Sequence, residues 1–186
     1  MTALLKPKMT VDEFLRWAEQ QPEQRWELID GEAVLMSPER AGHGETTLSV
    51  SMALLAGITA ARLPCRVLPD SVVVRIDRHT TFQPDVMVYC GERVPPDTLE
   101  INTPVIVVEV LSPSTAARDF RDKLVGYFRV PSIQHYLIVD PDRRSVIHHK
   151  RGVGEVIETR IVSAGALRLD PPGLEIQAAE LFAPQA

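Results

Sequence analysis

Four consecutive β-branched residues followed by an acid, Val105-Ile106-Val107-Val108-Glu109, constrain this chain more than any other stretch. Such a run favours a strand buried on both faces, and Val110 and Leu111 carry it just past the carboxylate. Charged side chains are almost never fully buried without a partner, so a cation is expected close to Glu109. A second apolar stretch, Pro84-Asp85-Val86-Met87-Val88-Tyr89, carries another acid near its beginning. Period two puts Asp85, Met87 and Tyr89 on one face of that strand, and Val105, Val107, Glu109 and Leu111 on one face of the other. Two carboxylates on neighbouring core strands call for a positive partner, and a hard divalent ion such as Mg2+ answers that need. The plainer alternative is a pair of structural acids hydrogen-bonded to loop amides.

The remaining elements follow from local signals. Thr10-Val11-Asp12-Glu13 has the form of a capping box, opening a short helix with Phe14, Trp17 and Ala18 as its buried stripe and Pro22 at its end. Arg25 to Ser37 forms a hairpin around Asp30-Gly31, with Trp26, Leu28 and Asp30 on one face and Glu27 and Ile29 on the other. A long helix runs from about Gly42 to Arg62, with Leu48, Met52, Leu55 and Ile58 at helical spacing. Strands are expected over Cys65–Leu68, Val72–Ile76, Pro84–Tyr89 and Pro104–Leu111. The turn Ser112-Pro113-Ser114-Thr115 then leads into a helix from Arg118 to Arg129, stopped by Pro131. Gln134–Asp140, Ser145–His149 and Val156–Val162 complete the strands, and Leu174–Phe182 ends the chain with a short strand and a helical turn. The expected architecture is α/β, one domain over 1–186, with a mixed β-sheet flanked by helices.

Bulk properties narrow the function. At 186 residues the chain suits one domain that buries roughly 70% of its unfolded surface, so a core forms without staples. No window offers the ~20 consecutive apolar residues that a bilayer requires, and the first eight residues lack the apolar core of a secretory signal. Cys65 and Cys90 have no CxxC spacing and read as two small core residues in a reducing, cytoplasmic setting. The net charge of −5 argues against a protein that coats nucleic acid. Basic residues do cluster locally, in Arg118, Arg121, Lys123 and Arg129 and again in Arg143, Arg144, Lys150 and Arg151; a local basic strip and ordinary solvated faces both account for them.

Several side chains qualify as chemical groups. Asp119, Lys123 and Tyr127 share a helical face directly after the Glu109 strand, placing an ammonium near the acids; the alternative is a surface ion pair. Glu27 is either a third oxygen ligand or a solvent-facing hairpin acid. His43 is either a proton carrier or phosphate contact, or an exposed histidine at a helix start. His148 and His149 are adjacent on a strand, point to opposite faces and cannot share one metal, so both read as structural. No glycine-rich phosphate loop, Gly-x-Ser-x-Gly elbow or Cys/His zinc spacing occurs.

Trp26-Glu27-Leu28-Ile29-Asp30-Gly31, His43, Pro84-Asp85-Val86, Val108-Glu109-Val110-Leu111-Ser112-Pro113-Ser114-Thr115, Asp119 with Lys123 and Tyr127, and Ile133 to Asp140 occur in this order. Together they resemble the Uma2 family of restriction-endonuclease-like proteins, in the PD-(D/E)xK nuclease superfamily, from Met9 to about Phe182. The resemblance implies a core of mixed sheet flanked by helices, and Mg2+ (or Mn2+) held by Asp85, Glu109 and the backbone carbonyl of Val110, with Glu27 as a further ligand. It implies hydrolysis of DNA phosphodiester bonds, with Lys123 and His43 among the catalytic groups. The superfamily's lysine stands two residues after the second acid, where this chain has Leu111; Lys123, on the next helix, is the expected substitute. Nucleic acid is the expected partner, and the acidic charge adds a homodimer or helper protein. The rival reading is a catalytically silent module that keeps the fold to bind a protein or nucleic acid.

Overall fold

Thr10 caps the first helix in the computed structural model, which describes residues 8–70, 72–112 and 117–182, the side chains of 117–120 excepted. Its hydroxyl accepts from Glu13 N–H, and the Glu13 carboxylate accepts from the Thr10 backbone, so two orphan donors of α1 (Val11–Ala18) are satisfied. Val11 and Phe14 then bury against Leu28. The hairpin of β1 (Trp26–Ile29) and β2 (Glu32–Leu35) turns at Asp30 and Gly31, whose φ values of 49° and 82° suit the type I′ geometry expected there.

Beyond α2 (Ala41–Ala60), the chain builds β3 (Cys65–Pro69), β4 (Val74–Asp77), β5 (Thr80–Phe82), β6 (Val86–Cys90) and β7 (Pro104–Val110). Helix α3 (Ala117–Arg129) crosses to β8 (His135–Asp140), followed by β9 (Ser145–Arg151), β10 (Ile157–Val162), β11 (Ala166–Leu169), β12 (Leu174–Gln177) and a closing 3-10 turn. Among the described residues the central sheet has six strands in the order β10-β9-β8-β7-β6-β3. Only β7 and β8 run parallel in it, because α3 carries the chain back over the sheet between them. A four-stranded antiparallel sheet, β2-β1-β5-β4, and the β11–β12 hairpin stand beside it.

The two faces of the central sheet support two cores. Ile106, Val108 and Val110 of β7 join Val86, Val88, Leu137 and Val139 beneath α2. On the opposite face Val107 joins Met87, Tyr89, Tyr136 and Ile138 beneath Tyr127 of α3 and Phe82 of β5. The period-two assignment holds for Met87, Tyr89 and Val107, but Val105 packs with the α2 core, at the register shift between β6 and β7; the β-branched run of β7 fills both cores. Strands β5 and β11 escaped the sequence signals; three or four residues leave too little alternation to register.

Two expectations need correction. Of the four residues at helical spacing in α2, Leu48, Met52 and Leu55 are exposed on its outer face, whereas Ile58 enters the core beside Thr46, Val50, Ala53 and Leu54. Cys65 and Cys90 are not separate thiols. They open β3 and close β6, pair in register, and form a disulfide. Spacing in sequence hides such a contact, since antiparallel pairing creates it, and the reducing compartment inferred from lone thiols loses its support. Among the described residues no helix is long and apolar enough to cross a membrane.

Candidate active site

The site lies where β6, β7, α2, α3 and the first hairpin meet. β7 delivers Glu109 near its end, and the side chain turns toward α3. There Tyr127 Oη donates to Glu109 Oε1 at 2.6 Å, and Lys123 Nζ lies 3.1 Å from both Glu109 oxygens. Gly126 makes the approach feasible. A Cβ there would fall 2.4 Å from Phe82 Cε2, so only glycine lets α3 settle onto β5 with Lys123 and Tyr127 over the strand.

Asp85 stands just before β6. Its Oδ2 accepts the backbone N–H of Val110 at 2.6 Å, which ties the acid to the end of β7. Its Oδ1 lies 3.1 Å from His43 Nε2, presented by the first turn of α2. The same imidazole nitrogen lies 3.1 Å from Glu39 Oε2, and the other Glu39 oxygen accepts from Arg25 Nη1 at 2.9 Å. Arg25 also pairs with Asp70. Glu27 faces inward from β1, with Oε1 3.1 Å from Lys123 Nζ and accepting Gln83 N–H at 3.0 Å. Of its two sequence alternatives, the solvent-facing acid is excluded: Glu27 is 6% exposed. His43 likewise is buried rather than an exposed helix-start histidine.

Asp85, Glu109, Lys123, Glu27 and His43 thus line one cleft of about 290 Å3, with Val110 and Ser112 at the strand end and Ile29, Val34, Leu35 and Met36 as an apolar wall. They divide into two groups. Glu27 and Glu109 share the Lys123 ammonium, while one oxygen of Asp85 meets His43, which also meets Glu39. Among the described residues, Glu39, His43 and Asp85 are the set whose donor atoms all lie within 4.8 Å of one another. Sequence reasoning missed Glu39, Arg25 and Asp70. Arg25 and Glu39 lie in polar stretches flanking the hairpin and Asp70 in the connection between two apolar strands, and only the fold brings the three together. The turn residues Pro113, Ser114 and Thr115 lie outside the described residues, as do the side chains of Arg118 and Asp119.

Electrostatics mark the cleft as strained by negative charge. Burial raises the Glu109 pKa to about 8; Lys123 and the Tyr127 hydrogen bond oppose the rise, and Asp85 and Glu27 reinforce it. Burial also lifts Asp70 to about 6 against the pull of Arg25. For His43, burial favours the neutral ring, but the hydrogen bond to Asp85 and the charges of Asp85 and Glu39 outweigh it, and the net shift is upward. Burial and the charge of Glu109 hold Tyr127 well above the usual phenol range, so it serves as a donor. Among the described residues, five carboxylates (Glu27, Glu39, Asp70, Asp85, Glu109) meet Arg25, Lys123 and His43. Arg40 lines the same cleft and burial favours a proton on Glu109, so with His43 protonated the charges come close to balance. Converging carboxylate oxygens are hard donors, the chemistry that fits a divalent cation.

The model of the Uma2 family, described as "Putative restriction endonuclease", matches residues 11–181. An uncharacterized protein of Synechocystis sp. is 29% identical over 170 residues, covering 90% of this chain and 88% of the relative. A second uncharacterized protein of the same organism is 29% identical over 145 residues, covering 77% of this chain and 81% of that one. Among solved structures, a "putative nuclease belonging to DUF820" from Anabaena variabilis superimposes with a TM-score of 0.73 at 19% identity. That match covers 94% of this chain and 97% of the other, and it supports the mixed α/β fold.

Proposed function

Because the chain belongs to the Uma2 family, we propose that it is a divalent-metal-dependent endonuclease hydrolysing DNA phosphodiester bonds. The observation that carries this reading is the burial of Asp85, Glu109, Glu27 and Lys123, from four separate segments, in one cleft. A chain that needed only stability would gain nothing from such a group, since buried charges seldom outperform apolar residues of similar volume.

Asp85 and Glu109, with the carbonyl of Val110 and the Glu27 carboxylate, would hold Mg2+ or Mn2+, which supplies Lewis acidity and charge neutralisation at the scissile phosphate. Lys123 neutralises charge that builds on the non-bridging phosphate oxygens; Glu27 and Tyr127 fix the frame around it, each through one hydrogen bond or ion pair. His43 stands on the far side of Asp85, placed to carry a proton. Water supplies the oxygen of the new P–O bond, one ester oxygen leaves with a proton, and the products are a phosphomonoester and a hydroxyl end. DNA as the substrate comes from the family resemblance, and the acidic chain favours action as a homodimer or beside a partner.

The test incubates plasmid and single-stranded DNA with the purified chain and Mg2+ or Mn2+, beside Glu109→Ala and Lys123→Ala chains. Cleavage should fall roughly 10²–10³-fold in each, the scale of losing one group that stabilises transition-state charge. Cleavage that survives Glu109→Ala would overturn the assignment. A wild-type chain that binds metal but cuts no polynucleotide leaves the silent binding module in its place.

A further inference from the structure

The part of the cleft around His43 has a composition of its own. His43 Nε2 lies 3.1 Å from Glu39 Oε2 and 3.1 Å from Asp85 Oδ1, so one nitrogen and two oxygens converge, two from the start of α2 and one from the residue before β6. His43 and Asp85 are buried, at 8% and 5% exposed, whereas Glu39 is exposed and approaches from the rim. Both acids are also braced from behind, whereas His43 Nδ1 is buried without a partner among the described residues. Val110 N–H holds the second oxygen of Asp85, and Arg25 holds the second oxygen of Glu39. Arg25 is itself held by Asp70, which accepts from Gln83 Nε2 through its backbone carbonyl at 3.2 Å. Outer hydrogen bonds of this kind orient metal ligands, and a salt bridge alone does not call for them on both acids. The second observation is the closeness of the set: the donor atoms of Glu39, His43 and Asp85 all lie within 4.8 Å of one another, so one ion can contact all three.

Donor chemistry selects the ion. Mg2+ favours all-oxygen surroundings and gives up water reluctantly, whereas imidazole nitrogen suits the first-row transition ions. We propose that Glu39, His43 and Asp85 form a mixed nitrogen and oxygen subsite for a divalent transition cation, next to the all-oxygen position of Asp85 and Glu109 and sharing Asp85 with it. The subsite rests on the reading of the cleft as metal-dependent. It makes His43 a ligand, and it makes Arg25 a positioning residue that acts through Glu39.

The probe is Mn2+ alone, added to the full chain. Pulsed electron paramagnetic resonance of bound Mn2+ should show coupling to one imidazole nitrogen, and calorimetry should show Mn2+ binding more tightly than Mg2+. His43→Gln should abolish the coupling, and both His43→Gln and Glu39→Gln should weaken Mn2+ roughly tenfold or more, while Mg2+ binding at the Asp85 and Glu109 position changes far less. Bound Mn2+ without nitrogen coupling in the wild-type chain overturns the subsite, and that measurement needs no variant to fold. An unchanged Mn2+ affinity in folded His43→Gln overturns it as well. The two readings fail differently: coupling in a chain that cuts no polynucleotide sinks the nuclease, whereas cleavage lost in Glu109→Ala but no coupling sinks the subsite.

Discussion

Glu109 concentrates the electrostatic problem of the molecule in a single side chain. Its ordinary pKa is 4.5 and its folded value about 8, so the folded chain keeps a proton that the unfolded chain releases. Stability from this group is therefore complete below about 4.5 and is lost as pH rises toward 8, at roughly 1.4 kcal/mol per pH unit at most. His135 and His148 act in the opposite sense. Burial depresses both to about 4, so they cost stability as pH falls from 6.5 toward 4. The two trends overlap on the acid side, and Glu109 dominates between about 6.5 and 8. With a chelator present, urea midpoints should drop across that interval, and Glu109→Gln should flatten the drop. A wild-type midpoint that rises from pH 6.5 to 8 would mean that Glu109 is already ionised beside Lys123.

Helix α2 shows where the sequence speaks clearly at the level of elements and where it does not. Its existence and extent follow from the apolar composition of residues 41–60, but its orientation does not, because leucine, methionine and valine occur on every side and no stripe stands out. The core takes Val50, Leu54 and Ile58, and leaves Leu48, Met52 and Leu55 outside. Leu54→Ala should therefore cost about 2–5 kcal/mol, whereas Met52→Ala should stay within about 0.5 kcal/mol, both from urea unfolding. Equal effects would restore the face that the spacing predicts. β7 is the contrasting case, since a β-branched run with one carboxylate admits a single arrangement, and the structure has it. The functional groups divide in the same way. Asp85, Glu109 and Glu27 are legible because each interrupts an apolar strand, and Lys123 because it follows one at helical spacing. Glu39, Arg25 and Asp70 interrupt nothing, and the Cys65–Cys90 bond depends on register between strands distant in sequence.

At the scale of the whole molecule, the net charge of −5 must be reconciled with a polyanionic substrate. The cleft concentrates acid at its floor, so attraction to phosphate has to come from few groups. Lys123 lies at depth, and Arg40, at the N-cap of α2, lines the rim. Each phosphate neutralised on duplex DNA contributes about −0.9 to the slope of log affinity against log salt. Two or three contacts give a slope of roughly −2 to −3, far shallower than that of proteins that grip DNA with a basic surface. Binding should be measured with Ca2+ in place of Mg2+ to hold off cleavage, between about 50 and 200 mM salt. Arg40→Ala should then weaken binding and reduce the slope by about one. A slope steeper than about −5 would place the contacts on an extended basic face, with Arg143, Arg144, Lys150 and Arg151 the first candidates, and would detach DNA binding from this cleft.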